Sequence, residues 1–357
     1  MRDATNIILD ELIVHILNPR KIEGKVLSER TIPLENNPLL VDYFIGHIKN
    51  SLKDPTAKAA SFEAVDQNLV SGICNDLLEG NTTLVDGSVR LAEKLYDIIA
   101  EDRRINPCDL AVCFYRVKNT EDAEDYTRYL AFLNIEPSEV FRHETKEDAD
   151  GKTYVGYTIE KDVMPTTGEK LQKCAFIRSL DPRPDYDMIL LDRQKRGEEV
   201  AKFFVKDFLG AKPKFDDKNR TEKLYSGLIN AKNKLYDKLG PQQNELLDQA
   251  IRVAIQCTHI NVETWVDGLP FSEDHKKTIK EEVSHKIPDI EFDLDTEFAT
   301  TLVKKRSYRG ANKLRITYQI AEDGIDNILQ SAERKEPPGE PVYYEVIIHT
   351  KEWKEIK

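Results

Sequence analysis

Residues 110–134, LAVCFYRVKNTEDAEDYTRYLAFLN, contain two apolar and aromatic runs of strand length, Leu110–Val117 and Thr127–Asn134. Such runs suit a pleated, buried surface and are too short and too uniformly apolar for an amphipathic helix. Strand signals continue at Tyr154–Ile159, Ala175–Ile177 and Asp187–Asp192 (DMILLD), and the polar run His143–Lys152, with Asp150-Gly151-Lys152, predicts a hairpin turn. Upstream, Asn6–Leu17 (NIILDELIVHIL) stops at Asn18-Pro19 and predicts a long strand or strand pair, central to the first sheet.

Helical spacing appears on either side of these strands. Leu40, Val41, Phe44, Ile45, Ile48 and Leu52 fall at helical intervals, as do Val89, Leu91, Ala92, Leu95, Tyr96 and Ile99, with residues 53–88 between them read as a helical connection. After DMILLD, Gly197 and Glu198 open a helix whose face is Val200, Ala201, Phe204, Val205, Phe208 and Leu209, stopped by Gly210. Helices follow over 216–239 and 243–257, then two shorter ones reach Lys286. Strands return at Lys313–Ile320 and Val342–His349. The expectation is an α+β protein: residues 1–212 form a domain with a mixed sheet, 213–300 a helical segment, and 301–357 a basic loop with a short strand unit. Leu224, Leu228, Ala231, Leu235 and Leu239 form a narrow stripe that packs on a neighbouring helix or, as the alternative, seams a homodimer.

Composition narrows the function. No stretch is long and apolar enough to cross a bilayer, and Asp10 and Glu11 interrupt the first apolar run, so export is not expected. Five scattered cysteines form neither a disulfide framework nor a C-x-x-C pair, and seven histidines show no metal-ligand spacing. No P-loop, G-x-G-x-x-G or G-x-S-x-G occurs. The expectation is a non-enzymatic cytoplasmic protein without metal or cofactor. A metal-dependent nuclease is the alternative, on Asp185, Asp192 and Lys195, but its strand spacing of acid and lysine is wrong. Glu352 and Lys354 have that spacing without a matched upstream acid. The acidic run Asp289–Glu297 lacks the glycine of a calcium loop and reads as solvated.

Charge distribution supplies the positive evidence. The chain carries a net −12, yet residues 304–315 hold Lys304, Lys305, Arg306, Arg309, Lys313 and Arg315 with no acid among them. Tyr308 interleaves them, and the set suits contact with phosphates of double-stranded DNA. A solvated loop paired with the preceding acids is the competing reading. Arg193, Lys195, Arg196 and Lys202 form a second basic group, with a solvated helix start as its alternative.

Several segments together resemble one family. IVHILN (Ile13–Asn18), RYLAFLNI (Arg128–Ile135), MPTTGEKLQKCAFIRSL (Met164–Leu180), DYDMILLDRQKRGEEVAKFFVKDFLGAK (Asp185–Lys212) and KLRITY (Lys313–Tyr318) are similar, in this order, to bacterial nucleoid-associated proteins of about 37 kDa. The resemblance implies a DNA-binding protein of the bacterial nucleoid, and it assigns no catalytic residue. The acidic balance departs from the family and leaves a specialised role open, such as a DNA-binding subunit of an anti-phage defence system with a protein partner.

Overall fold

The computed structural model describes residues 6–118, 126–147, 152–166, 169, 171–182, 184–193, 203–309, 315–319, 329–335 and 343–348. The chain divides into two compact units: residues 1–216 with 288–291, and residues 217–287 with 292–357.

The first unit is built on an eight-stranded sheet. Its strands are β1 (Ile7–Leu17), β2 (Lys25–Val26), β3 (Lys58–Phe62), β4 (Cys108–Lys118), β5 (Tyr126–Ile135), β8 (Lys173–Ile177), β9 (Met188–Asp192) and β10 (Ala211–Pro213), in the order β10-β3-β9-β8-β5-β4-β1-β2. The fold is α+β, as the sequence suggests, but the sheet is not mixed: every neighbouring pair is antiparallel. Nor is β1 central. It lies next to the edge, covered only by the two-residue β2. A register shift between Leu9 and Glu11 bulges Asp10 out of the β1–β4 ladder, where Arg116 Nε meets its carboxylate at 2.9 Å.

Both faces of the sheet are covered, which explains why β4 is buried without interruption from Cys108 to Tyr115. On one face Leu110, Val112, Phe114, Leu130 and Phe132 pack against Leu77 of α2 (Leu69–Glu79) and Leu91, Leu95 and Ile99 of α3 (Leu84–Glu101). A π-helical turn, Phe203–Phe208, adds Phe204 and Phe208 to that core. On the other face lies α1 (Pro38–Leu52), whose Ser51 hydroxyl is 3.5 Å from the Cys174 thiol. Gly210 adopts φ +59°, a conformation that glycine takes at no steric cost, and the Asn68 amide donates to the Leu209 and Gly210 carbonyls while its oxygen caps α2.

Two local expectations change. Residues 53–88 are not a helical connection alone, since they supply β3 to the sheet. Its Ala59 and Ala60 are fully buried but carry no β-branched or aromatic signature. The polar run from His143 is strand as far as Glu147: β6 (Ser138–Glu147) pairs with β7 (Thr153–Val163) as a separate two-stranded ribbon. Of the helix expected after Gly197, residues 194–202 lie outside the described residues.

The second unit contains α4 (Asp217–Leu235), α5 (Pro241–Gln256), α6 (Val262–Asp267), α7 (Glu273–Ser284) and α8 (Thr296–Lys304). Strand β11 (His259–Asn261) pairs with β12 (Glu291–Asp293). Gly227 lets α4 approach α7, because a Cβ there would fall 2.8 Å from Val283 Cα. Leu224, Leu228, Ala231, Leu235 and Leu239 are all buried within the chain, so the stripe is internal packing and not the seam of a homodimer. Two ribbons follow, β13 (Lys305–Arg309) with β14 (Arg315–Gln319), and β15 (Leu329–Lys335) with β16 (Tyr343–Ile348). No helix among the described residues is long and apolar enough to cross a membrane.

Candidate nucleic-acid interface

The basic run at 304–315 is not a loop throughout. Lys304 is the last residue of α8. The chain then enters β13 directly and returns as β14, and Lys313 lies outside the described residues. The register pairs Lys305 with Gln319, Arg306 with Tyr318, Ser307 with Thr317, Tyr308 with Ile316, and Arg309 with Arg315.

Because successive residues of a strand alternate between faces and cross-strand partners share one, this register sorts the ribbon. Positions 305, 307, 309, 315, 317 and 319 share a face made only of Lys, Ser, Arg, Arg, Thr and Gln. The other face takes Arg306, Tyr308, Ile316 and Tyr318. Like charges directly opposite one another on a ladder are destabilising.

Residues 13–328 match the family described as nucleoid-associated protein YejK, NA37. The chain belongs to that family. The matched span includes the β13–β14 ribbon and ends before β15. A search of curated proteins returns no match.

Of the second basic group, this NA37 chain shows only Arg193 among the described residues. Arg193 forms an ion pair with Asp54, and its side chain is only 15% exposed. Burial pushes the Asp54 carboxyl up, but hydrogen bonds from Thr56 and the charge of Arg193 outweigh it and hold the group below its ordinary value. Arg193 therefore ties the end of β9 to the turn after α1. Lys195, Arg196 and Lys202 lie outside the described residues.

The acids considered for metal chemistry are scattered. Asp185 is exposed before β9, whereas Asp192 pairs with the fully buried Lys173 at 2.8 Å. No cluster of three His, Cys, Asp or Glu that could hold a metal occurs among the described residues. Glu352 and Lys354 lie outside them. Asp289 is not part of a solvated loop: it is 2% exposed, and its carboxylate accepts the Ala59 backbone N–H at 2.7 Å.

A basic and aromatic rim on the first unit escaped the sequence reading. Arg116 and Arg128 are cross-strand partners on β4 and β5, 40% and 42% exposed. Arg128 sits 3.7 Å from the Phe114 ring centroid, and Arg116 4.9 Å from that of Tyr126. Both are matched, Arg116 by Asp10 and Arg128 by Glu11. The signal was present as an arginine at the same distance from the end of two apolar strands, but only the register shows that the two meet.

Proposed function

We propose that this protein binds double-stranded DNA through the β13–β14 ribbon, contacting phosphates with little regard to sequence and without catalysing a reaction. The reading rests on membership of a nucleoid-associated family together with one observation, the register that puts Lys305, Arg309 and Arg315 on a single polar face. Lysine and arginine neutralise phosphates, while Ser307, Thr317 and Gln319 are suited to hydrogen bonds with backbone oxygens. An overall charge of −12 confines the attraction to this surface and makes it sensitive to salt. On this reading the protein resides on the nucleoid in the cytoplasm, and DNA is its partner.

The test is a mobility shift with plasmid DNA, run in EDTA and then with magnesium or manganese. A shift in both conditions with intact plasmid is expected. Nicked or linear product that needs the metal would replace the binding reading with a nuclease, and no shift at low salt would remove direct DNA contact.

A further inference from the structure

A cleft of about 470 Å³ opens where the β6–β7 ribbon roots onto the sheet of the first unit. Its walls come from the end of β1, the start of β4, the segment after β5 and the two ends of the ribbon. Asp109 lines it at the second residue of β4. The residue is 7% exposed, and its Oδ1, itself buried from solvent, has no hydrogen-bond partner among the described residues. An ionised group left so is costly, by at least the roughly 1–3 kcal/mol of an unmade buried hydrogen bond.

The cations around it are already engaged. Lys21 pairs with Asp162 at 2.7 Å and Lys161 with Glu139 at 3.3 Å. Arg20 donates to the Arg103 and Ile105 carbonyls. Asp162 itself has φ +58°, unusual for a residue with a Cβ, so the backbone is strained at the point where this acid meets the cleft. Burial, and then the Asp162 charge, raise the Asp109 carboxyl to about 6, which leaves it ionised at neutral pH.

We propose that this cleft binds a small organic cation of the alkyl diamine or polyamine class, one ammonium group donating to Asp109. An anion is disfavoured, since it would meet a buried carboxylate. A divalent metal lacks a converging set of ligands among the described residues. The volume falls in the range of small-molecule sites and exceeds what a bare ion needs. At the rim Glu139 and Asp162, 61% and 60% exposed, are paired with Lys161 and Lys21, so a second ammonium would have to share or displace those lysines. The site is on the first unit and stands apart from the DNA-binding reading.

Calorimetric titration of the full chain, freed of nucleic acid by nuclease treatment, tests this with putrescine, spermidine and magnesium chloride in turn. One amine site is expected, weakened roughly ten- to hundredfold by Asp109→Asn, the worth of a charge-assisted hydrogen bond. Should that variant not fold, N,N′-diacetylputrescine, which has the chain but not the charges, serves against the wild type and is expected not to bind. Absence of amine binding at millimolar concentration, equal binding of the acetylated compound, equal affinity in folded Asp109→Asn, or displacement of the amine by equimolar magnesium would each overturn the proposal.

Discussion

Lys173 and Asp192 are cross-strand partners on β8 and β9, with Nζ 2.8 Å from Oδ1 and the lysine wholly buried. The ammonium also lies 5.2 Å from the Phe203 ring centroid. Removing one member of such a pair costs more than the pair contributes, because the remaining charge stays in a poor solvent. Lys173→Met alone is expected to lower unfolding free energy by about 3–5 kcal/mol. Lys173→Met combined with Asp192→Leu should recover most of that loss. Urea midpoints of the three proteins check it, and a single variant as stable as wild type would show that the ion pair is dispensable.

His15 should make the protein acid-sensitive. Its Nδ1 accepts the Ser28 backbone N–H at 3.1 Å, so the ring proton is on Nε2 and is donated to the Ser88 hydroxyl at 2.9 Å. Burial lowers its pKa from 6.5 to about 4. A depressed folded value means that the unfolded chain takes up the proton first. The contribution is complete above pH 6.5 and is lost as pH falls towards 4, by about 3 kcal/mol in total at roughly 1.4 kcal/mol per unit. His15→Asn should flatten the slope of urea-derived stability in that window while being less stable at neutral pH.

Asp109 works with the opposite sign. Its folded value, about 6 against 3.8, is raised, so its stabilising contribution is present below 3.8 and lost as pH rises through 6. Burial is the main cause, and of the neighbouring charges Asp162 raises it further while Lys21 lowers it. Asp109→Asn should therefore stabilise the ligand-free protein above pH 6, by about 1–3 kcal/mol. A melting temperature at neutral pH that falls on substitution would contradict the assignment of an ionised carboxylate with one unpartnered oxygen.

The sequence disclosed what depends on period and hid what depends on pairing. β4, β5, β9, α1 and α3 were legible because their apolar residues recur at the spacing of the element they form. β3 was not, since Ala59 and Ala60 are small where the sheet is crowded, and β6 was not, since its outer half is polar and held by its ladder with β7. Sheet order brings together strands far apart in sequence, so the antiparallel arrangement and the edge position of β1 could not be read from local pattern. The basic run was visible as composition, while the opposition of Arg309 and Arg315 exists only in the register. Arg193 shows the converse, a basic residue beside other basic residues whose partner, Asp54, lies 139 positions away. One signal for the cleft went unused: an acid, Asp109, inside the otherwise apolar run Cys108–Tyr115.

The register of the β13–β14 ribbon makes DNA binding testable face by face. Reversing Lys305, Arg309 and Arg315 to Glu removes the bases of one face, whereas Arg306→Glu alters the other. If Lys304 joins those three in contacting phosphates, the slope of log K against log salt should be about −3.6 for the wild type and about −0.9 for the triple variant, from about 0.9 per neutralised phosphate. The loss should be uniform across DNA sequences, because phosphate contacts carry no base information. Arg306→Glu should change the slope by less than one unit. A single Arg309→Glu separates binding from folding: placed opposite Arg315 it replaces a like-charge pair by an opposite one, so the ribbon should gain roughly 0.2–1 kcal/mol while affinity for DNA falls. Amide exchange across 305–319 reads the first effect and a salt-series mobility shift the second. A folded triple variant that binds plasmid as tightly as wild type at low salt would exclude this face, and would move attention to the Arg116 and Arg128 rim, where phosphates would have to displace Asp10 and Glu11.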